Sequence, residues 1–144
     1  MPFQKILIAV DSDPIALHAA EVGVRLATAL QAQIALVHSL DPSMVYAPEG
    51  GLSADEFDQI AQRDGKRLIA DIRARLPEGT RAFDFVLRGN APDEIVKAAK
   101  DWGADIIVIG SHGRRGVTRA VMGSVAEAVL RRSSCPVFVV PALA

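Results

Sequence analysis

Apolar and amphipathic stretches alternate along the chain, and the spacing of apolar positions changes from one stretch to the next. Phe3 to Val10 is a nearly continuous apolar run, Pro14 to Leu30 carries an apolar stripe through Ala16, Ala20, Leu26, Ala27 and Leu30, and Gln33 to Leu40 is apolar again. A short continuous run is the pattern of a strand buried on both faces, whereas a stripe at helical spacing belongs to a helix laid on a sheet. Asp13 before Pro14 marks the helix start. Asp41 to Ser53, with two prolines and two glycines, reads as a long loop, either a lid or a surface excursion.

Ala54 to Leu76 is a charged amphipathic helix with Phe57, Ile60, Ala61, Leu68 and Ile72 inward. Arg81 to Arg88 alternates Phe83, Phe85 and Leu87 with Ala82, Asp84 and Val86, which fits a strand less completely buried than the others. Pro92 to Asp101 is helical, and Ala104 to Ile109, Ser124 to Arg132 and Pro136 to Val140 give strand, helix and strand. Strands and helices in strict alternation predict an α/β fold in one domain over residues 1–144, an open five-stranded parallel sheet with helices on both faces and right-handed crossovers. No internal repeat or low-complexity segment interrupts it.

At 144 residues and half hydrophobic, such a chain buries roughly two-thirds of its unfolded surface without disulfide staples. The single Cys135, entering the last apolar strand, is expected to be a buried, inert thiol. A net charge of −1 gives no global pull towards nucleic acid or membrane. No apolar stretch approaches the ~18 residues of a membrane span, and a cytoplasmic setting is expected. His18 reads as a surface or half-buried residue, His38 as a hydrogen-bonded core group and Trp102 as packing. No Cys/His cluster has metal-ligand spacing.

The candidate chemistry lies in Gly110-Ser111-His112-Gly113, followed nine residues later by Gly123-Ser124. The first glycine ends an apolar strand and the last opens a helix. Glycines can take positive φ and aim successive N–H groups at one point, and a helix N-terminus adds unpaired donors and the positive end of a dipole. The charges between Gly110 and Ala126 are Arg114, Arg115 and Arg119, with no acid among them. The segment suits a bulky anion, yet it is neither a Walker A loop nor a G-x-G-x-x-G fingerprint.

The string G-x-x-G, nine residues, G-S, resembles the nucleotide loop of the universal stress protein family. Ile6-Leu7-Ile8-Ala9-Val10-Asp11 is similar to that family's first strand and acidic residue. Ala35-Leu36-Val37-His38, Gly89-Asn90-Ala91-Pro92 and Ser133-Ser134-Cys135-Pro136-Val137 extend the resemblance from about Phe3 to Val140. It implies a Rossmann-like fold of the adenine nucleotide alpha hydrolase type with strand order 3-2-1-4-5. In that order the ends of the first and fourth strands meet at the topological switch point, where open α/β sheets bind ligands.

By resemblance, Gly110, Gly113, Gly123 and Ser124 would hold the phosphates of ATP, with its Mg²⁺, together with the N–H groups of Val125 and Ala126. Asp11 would face ribose hydroxyls or a water on the metal ion, because it repels phosphate. Ala9, Val10 and Ile109 would form apolar walls, and the backbone at Ser39 would meet the adenine edge. The family more often carries a valine at Ser39 and a small hydroxyl residue at Asp13. His112 either approaches a phosphate or fills a turn, and Arg114 follows it in the loop.

The reading placed first is an ATP-binding, stress-responsive regulatory module with little or no turnover. A slow ATPase or a phosphoryl or adenylyl transferase is the alternative, and an interaction protein without a ligand is a third. No Lys or catalytic base is positioned beside the glycine loop. A homodimer is expected through the last strand, Val137, Phe138, Val139 and Val140, whose bare apolar edge would otherwise invite aggregation.

Overall fold

The computed structural model describes residues 3–11, 14–40, 53–111 and 122–141. Strands β1 (Lys5–Ala9), β2 (Gln33–Leu40), β3 (Ala82–Arg88), β4 (Ile106–Gly110) and β5 (Val137–Val140) alternate with helices α1 (Pro14–Leu30), α2 (Ala54–Ala74), α3 (Ala91–Trp102) and α4 (Ser124–Arg132). All neighbouring strands are parallel, in the order β3-β2-β1-β4-β5. The predicted order and alternation are both present.

The apolar runs explain the central strands. Ile6, Ile8, Ile34, Leu36, Ile106 and Val108 point to one face, where Ala16, Ala19, Ala20, Val24 and Ala27 of α1 and Ile69 and Ile72 of α2 cover them. Leu7, Ala9, Ala35, Val37, Ile107 and Ile109 point to the other, against Ile95, Ala98 and Ala99 of α3 and Ala126 and Val129 of α4. Period-two alternation in a strand covered on both sides leaves every position apolar. In β3, by contrast, no residue is fully buried, as its mixed alternation predicts.

The expected inward stripes need three adjustments. Leu30, the last residue of α1, is exposed rather than inward, whereas Ala19, Val24 and, in the same last turn, Ala27 are buried. Phe57 and Ile60 are only half-buried, and α2 seats itself on Ala61, Gly65, Ile69 and Ile72. Cys135 is half-buried, not enclosed, with its Sγ 3.4 Å from Ser133 Oγ in the turn before β5. The expected helix start at Asp13 falls outside the described residues; Ser53 closes a capping box with Glu56 at the start of α2.

The two sheet edges differ. Gly89 N–H donates to the Leu40 carbonyl (3.0 Å), so odd-numbered residues of β3 turn their backbone groups towards β2 and even-numbered ones turn outward. The outward carbonyl of Ala82 accepts from Arg73 of α2, that of Val86 accepts from Gln62 at 3.5 Å, and Arg88 pairs with Asp58 at 3.0 Å. Polar side chains of α2 thus occupy this edge. At β5, Ser111 N–H donates to Val140 O (2.8 Å) and Ile107 N–H to Pro136 O (3.0 Å), so the backbone groups of Val137 and Val139 face outward. They meet no partner among the described residues, and Phe138 beside them is 43% exposed.

Close approach of α1 to the sheet depends on Gly23. A Cβ there would lie 2.6 Å from Ile8 Cδ1 and 3.4 Å from Val108 Cγ1, both fully buried side chains. Gly23→Val should therefore destabilise the fold by about 2 kcal/mol or more, the usual scale of overpacking. A urea transition at unchanged midpoint would show that α1 can lift away without loss.

Candidate functional site

At the carboxyl ends of β1 and β4 the connections diverge: β1 leads to α1 on one face and β4 towards α4 on the other. The gap between them is a crevice lined by Ala9, Val10, Asp11, Ser39, Ile109, Gly110 and Val125, seven of the residues expected there. Ala9, Val10 and Ile109 are 7%, 5% and 6% exposed, so the walls are apolar and held by the core itself. Gly123 and Ser124 stand at the start of α4, just before Val125 and Ala126, whose positions do line the crevice. His112, Gly113 and Arg114 lie outside the described residues, as do Arg115, Arg119 and residues 41–52 of the long loop, for which the sequence predicts a lid or a surface excursion.

The ends of the glycine segment are brought together by the sheet. Ser111, 9% exposed, is tied by its N–H to the last residue of β5, and its carbonyl accepts from Gly123 N–H. Gly123 is the N-cap of α4 with φ −62° and ψ 154°, an extended conformation open to any residue. Positive φ is therefore not the reason for glycine there. The consequence of a missing side chain is different: among the described residues no side-chain oxygen caps the first turn, and the first N–H groups of α4 are left as donors.

The β2 side of the crevice is built by a ladder that stops. Val10 N–H donates to the Val37 carbonyl (2.9 Å), continuing the β1–β2 register one residue past β1. The next bond in a parallel ladder would run from Ser39 N–H to the Val10 carbonyl. That carbonyl instead accepts from His38 Nδ1 at 3.0 Å. A carbonyl can only accept, which assigns the proton to Nδ1. Ser39 Oγ donates to the Gly89 carbonyl at 3.0 Å, tying β2 to the turn before α3. There Gly89 has φ +144°, and Asn90 accepts from Asp93 N–H to cap α3.

Sequence reasoning missed Ala16, Val37, His38, Ala91 and Ile95 as lining residues. Ala91 belongs to the Gly89-Asn90-Ala91-Pro92 string, which was a legible signal; the others are core positions distinguished only by standing at strand or helix ends. Trp102 is remote from the crevice, in edge-on contact with Phe83 and Phe85 at 6.1 and 6.3 Å between ring centroids, in keeping with packing. Asp11 is the only acidic residue among those described along the crevice. Among the described residues no helix is long and apolar enough to cross a membrane.

Comparison with known proteins meets this geometry. The sequence profile of the universal stress protein family matches residues 2–141. Universal stress protein YxiE of Bacillus subtilis is 30% identical, over 96% of this chain and 99% of its own length. The solved structure of MJ0577, a universal stress protein of Methanocaldococcus jannaschii, superposes with a TM-score of 0.80 at 29% identity, covering 97% of this chain and 96% of that one. A universal stress protein from Archaeoglobus fulgidus, solved in complex with dAMP, gives 0.63 at 25% identity over 96% and 98% of the two chains. This chain belongs to the universal stress protein family.

Proposed function

We propose that the crevice seats an adenine nucleotide, ATP with Mg²⁺ on its phosphates, and that the protein is a stress-responsive regulatory module that holds the nucleotide and turns it over little or not at all. The observation that carries this reading is the pairing of open backbone groups across apolar walls. The N–H and C=O of Ser39 lie on the β2 side, and the uncapped first turn of α4 follows on the β4 side. β2 and β4 flank β1, so two strand spacings, about 10 Å, separate them. A nucleoside phosphate bridges such a gap with its base at the peptide and its phosphate at the helix. The relative solved with dAMP supports the ligand class.

The residues divide the work by chemistry. Ala9, Val10 and Ile109 offer flat apolar surface to a base or sugar, and Asp11 accepts hydrogen bonds from ribose hydroxyls while repelling phosphate. Gly110, Gly113, Gly123, Ser124 and the N–H groups of Val125 and Ala126 take the phosphates, with His112 and Arg114 beside them. Bound Mg²⁺ would neutralise phosphate charge. Hydrolysis needs a base or orienting group behind the terminal phosphate, and Asp11 is committed to the ribose end. ATP occupancy then acts as the signal, in a cytoplasmic setting. Turnover abolished by a glycine-loop substitution would instead make the protein a slow ATPase or a phosphoryl or adenylyl transferase.

Gly123→Val would place a branched side chain over the first turn of α4. ATP affinity should fall by ~10² or more, where each factor of ten is about 1.4 kcal/mol. Titration calorimetry of wild type and variant measures it; absence of binding by the wild type at millimolar ATP would contradict the nucleotide reading.

The contrast between sheet edges supports a homodimer through β5, formed by Val137, Phe138, Val139 and Val140. The β3 edge is occupied by Arg73 and Gln62, and on the β5 edge the outward backbone groups of Val137 and Val139 meet no partner among the described residues, beside an exposed Phe138. Pairing across a two-fold axis would satisfy both copies at once. Val139→Lys should shift the molecular mass in light scattering from dimer to monomer, whereas an unchanged dimer would place the interface elsewhere.

A further inference from the structure

The β1–β2 ladder does not simply run out beside the crevice; a side chain intercepts it. Val10 is held at both ends of its backbone, its N–H on Val37 O at 2.9 Å and its carbonyl on His38 Nδ1 at 3.0 Å. His38 is half-buried, lines the crevice, and lies under α2: a Cβ on Gly65 would stand 3.3 Å from His38 Cδ2 and 2.5 Å from Val86 Cγ1. The missing Cβ of Gly65 thus leaves room for the imidazole and for Val86 beneath the helix. The Ser39 hydroxyl is spent on Gly89 O, which leaves the Ser39 peptide as the group that β2 can offer a ligand.

Resting on the nucleotide reading above, we propose that His38 is a positioning residue for base recognition. By giving Nδ1–H to the Val10 carbonyl, it draws that carbonyl towards the imidazole and out of line with Ser39 N–H, the donor that would extend the ladder. Ser39 N–H and C=O stay open towards the base, and the Val10–Asp11 peptide is fixed in the orientation that carries Asp11 into the crevice. Without the imidazole donor, Ser39 N–H closes onto Val10 O, as parallel pairing favours, and the base loses its partners while the phosphate end is untouched. An unpaired peptide in a mostly apolar crevice is costly to leave open without a ligand, so a dedicated group is needed to keep it so.

The test compares wild type, His38→Leu and His38→Asn, the last placing an amide donor near the Nδ1 position. With His38→Leu, ATP affinity should fall roughly tenfold, and the preference for ATP over GTP should fall by a similar factor. Affinity for inorganic triphosphate, which lacks a base, should stay within about twofold. His38→Asn should recover ATP affinity to within about threefold of wild type. In nucleotide-free protein, exchange of the Ser39 amide followed by NMR should be fast in wild type and slowed in His38→Leu. Unchanged base preference in His38→Leu, equal loss of triphosphate binding, or failure of Asn to rescue would each overturn the proposal. If the Leu variant does not fold, a wild-type imidazole without a proton on Nδ1, or a protected wild-type Ser39 amide, would overturn it. Failure of wild type to bind any adenine nucleotide would sink the functional reading instead, leaving the exchange measurement to judge the His38–Ser39 coupling by itself.

Discussion

Everything at the crevice depends on two parallel strands, β1 and β4, lying side by side while their connections leave for opposite faces of the sheet. The arrangement follows from right-handed crossovers: α1 and α2 cover one face, α3 and α4 the other, and the change of side falls between β1 and β4. No side chain has to be carved away to make the gap. Its floor is the end of the core, and the same burial that stabilises Ile109 and Val10 makes the walls rigid. A site built this way is preorganised at little cost, because the groups it exposes are backbone groups left over where ladders and helices begin or stop.

Those leftovers are managed differently around the molecule. At the start of β1, the Asp105 carboxylate accepts from the N–H groups of Gln4 and Lys5 at 2.7 and 3.0 Å and closes that end of the strand. At α3, Asn90 caps the helix, and along β3 the side chains of α2 fill the edge. At α4 the cap position is glycine, beside Ser39 the Val10 carbonyl accepts from His38, and at β5 the outward backbone groups meet no partner among the described residues. Among the described residues, ends without a partner lie where a nucleotide and a second copy are proposed to sit.

Much of this was legible in the residues. Continuous runs such as Ile6 to Val10 and Ile106 to Ile109 announce strands buried on both faces, and the glycine-serine spacing marks the segment that leaves the end of β4 and enters α4. What escaped was geometry that no local pattern encodes. Leu30 belongs to the apolar stripe of α1 but stands exposed as its last residue, and Gly65 is where α2 meets His38 and Val86. His38 reads as an ordinary core histidine because its partner, the Val10 carbonyl, is 28 residues away. The positive φ expected of the glycine loop is absent at Gly123, where the lack of a cap, not backbone freedom, is the consequence.

The central claim is that an adenine nucleotide fills the crevice between β1 and β4. Nondenaturing mass spectrometry of the protein, purified without added nucleotide and then equilibrated with millimolar MgATP, tests it most directly. The account predicts an added mass of one adenine nucleotide per chain. A bare chain in the presence of ATP, or a stoichiometric ligand of another chemical class that ATP does not displace, would contradict it.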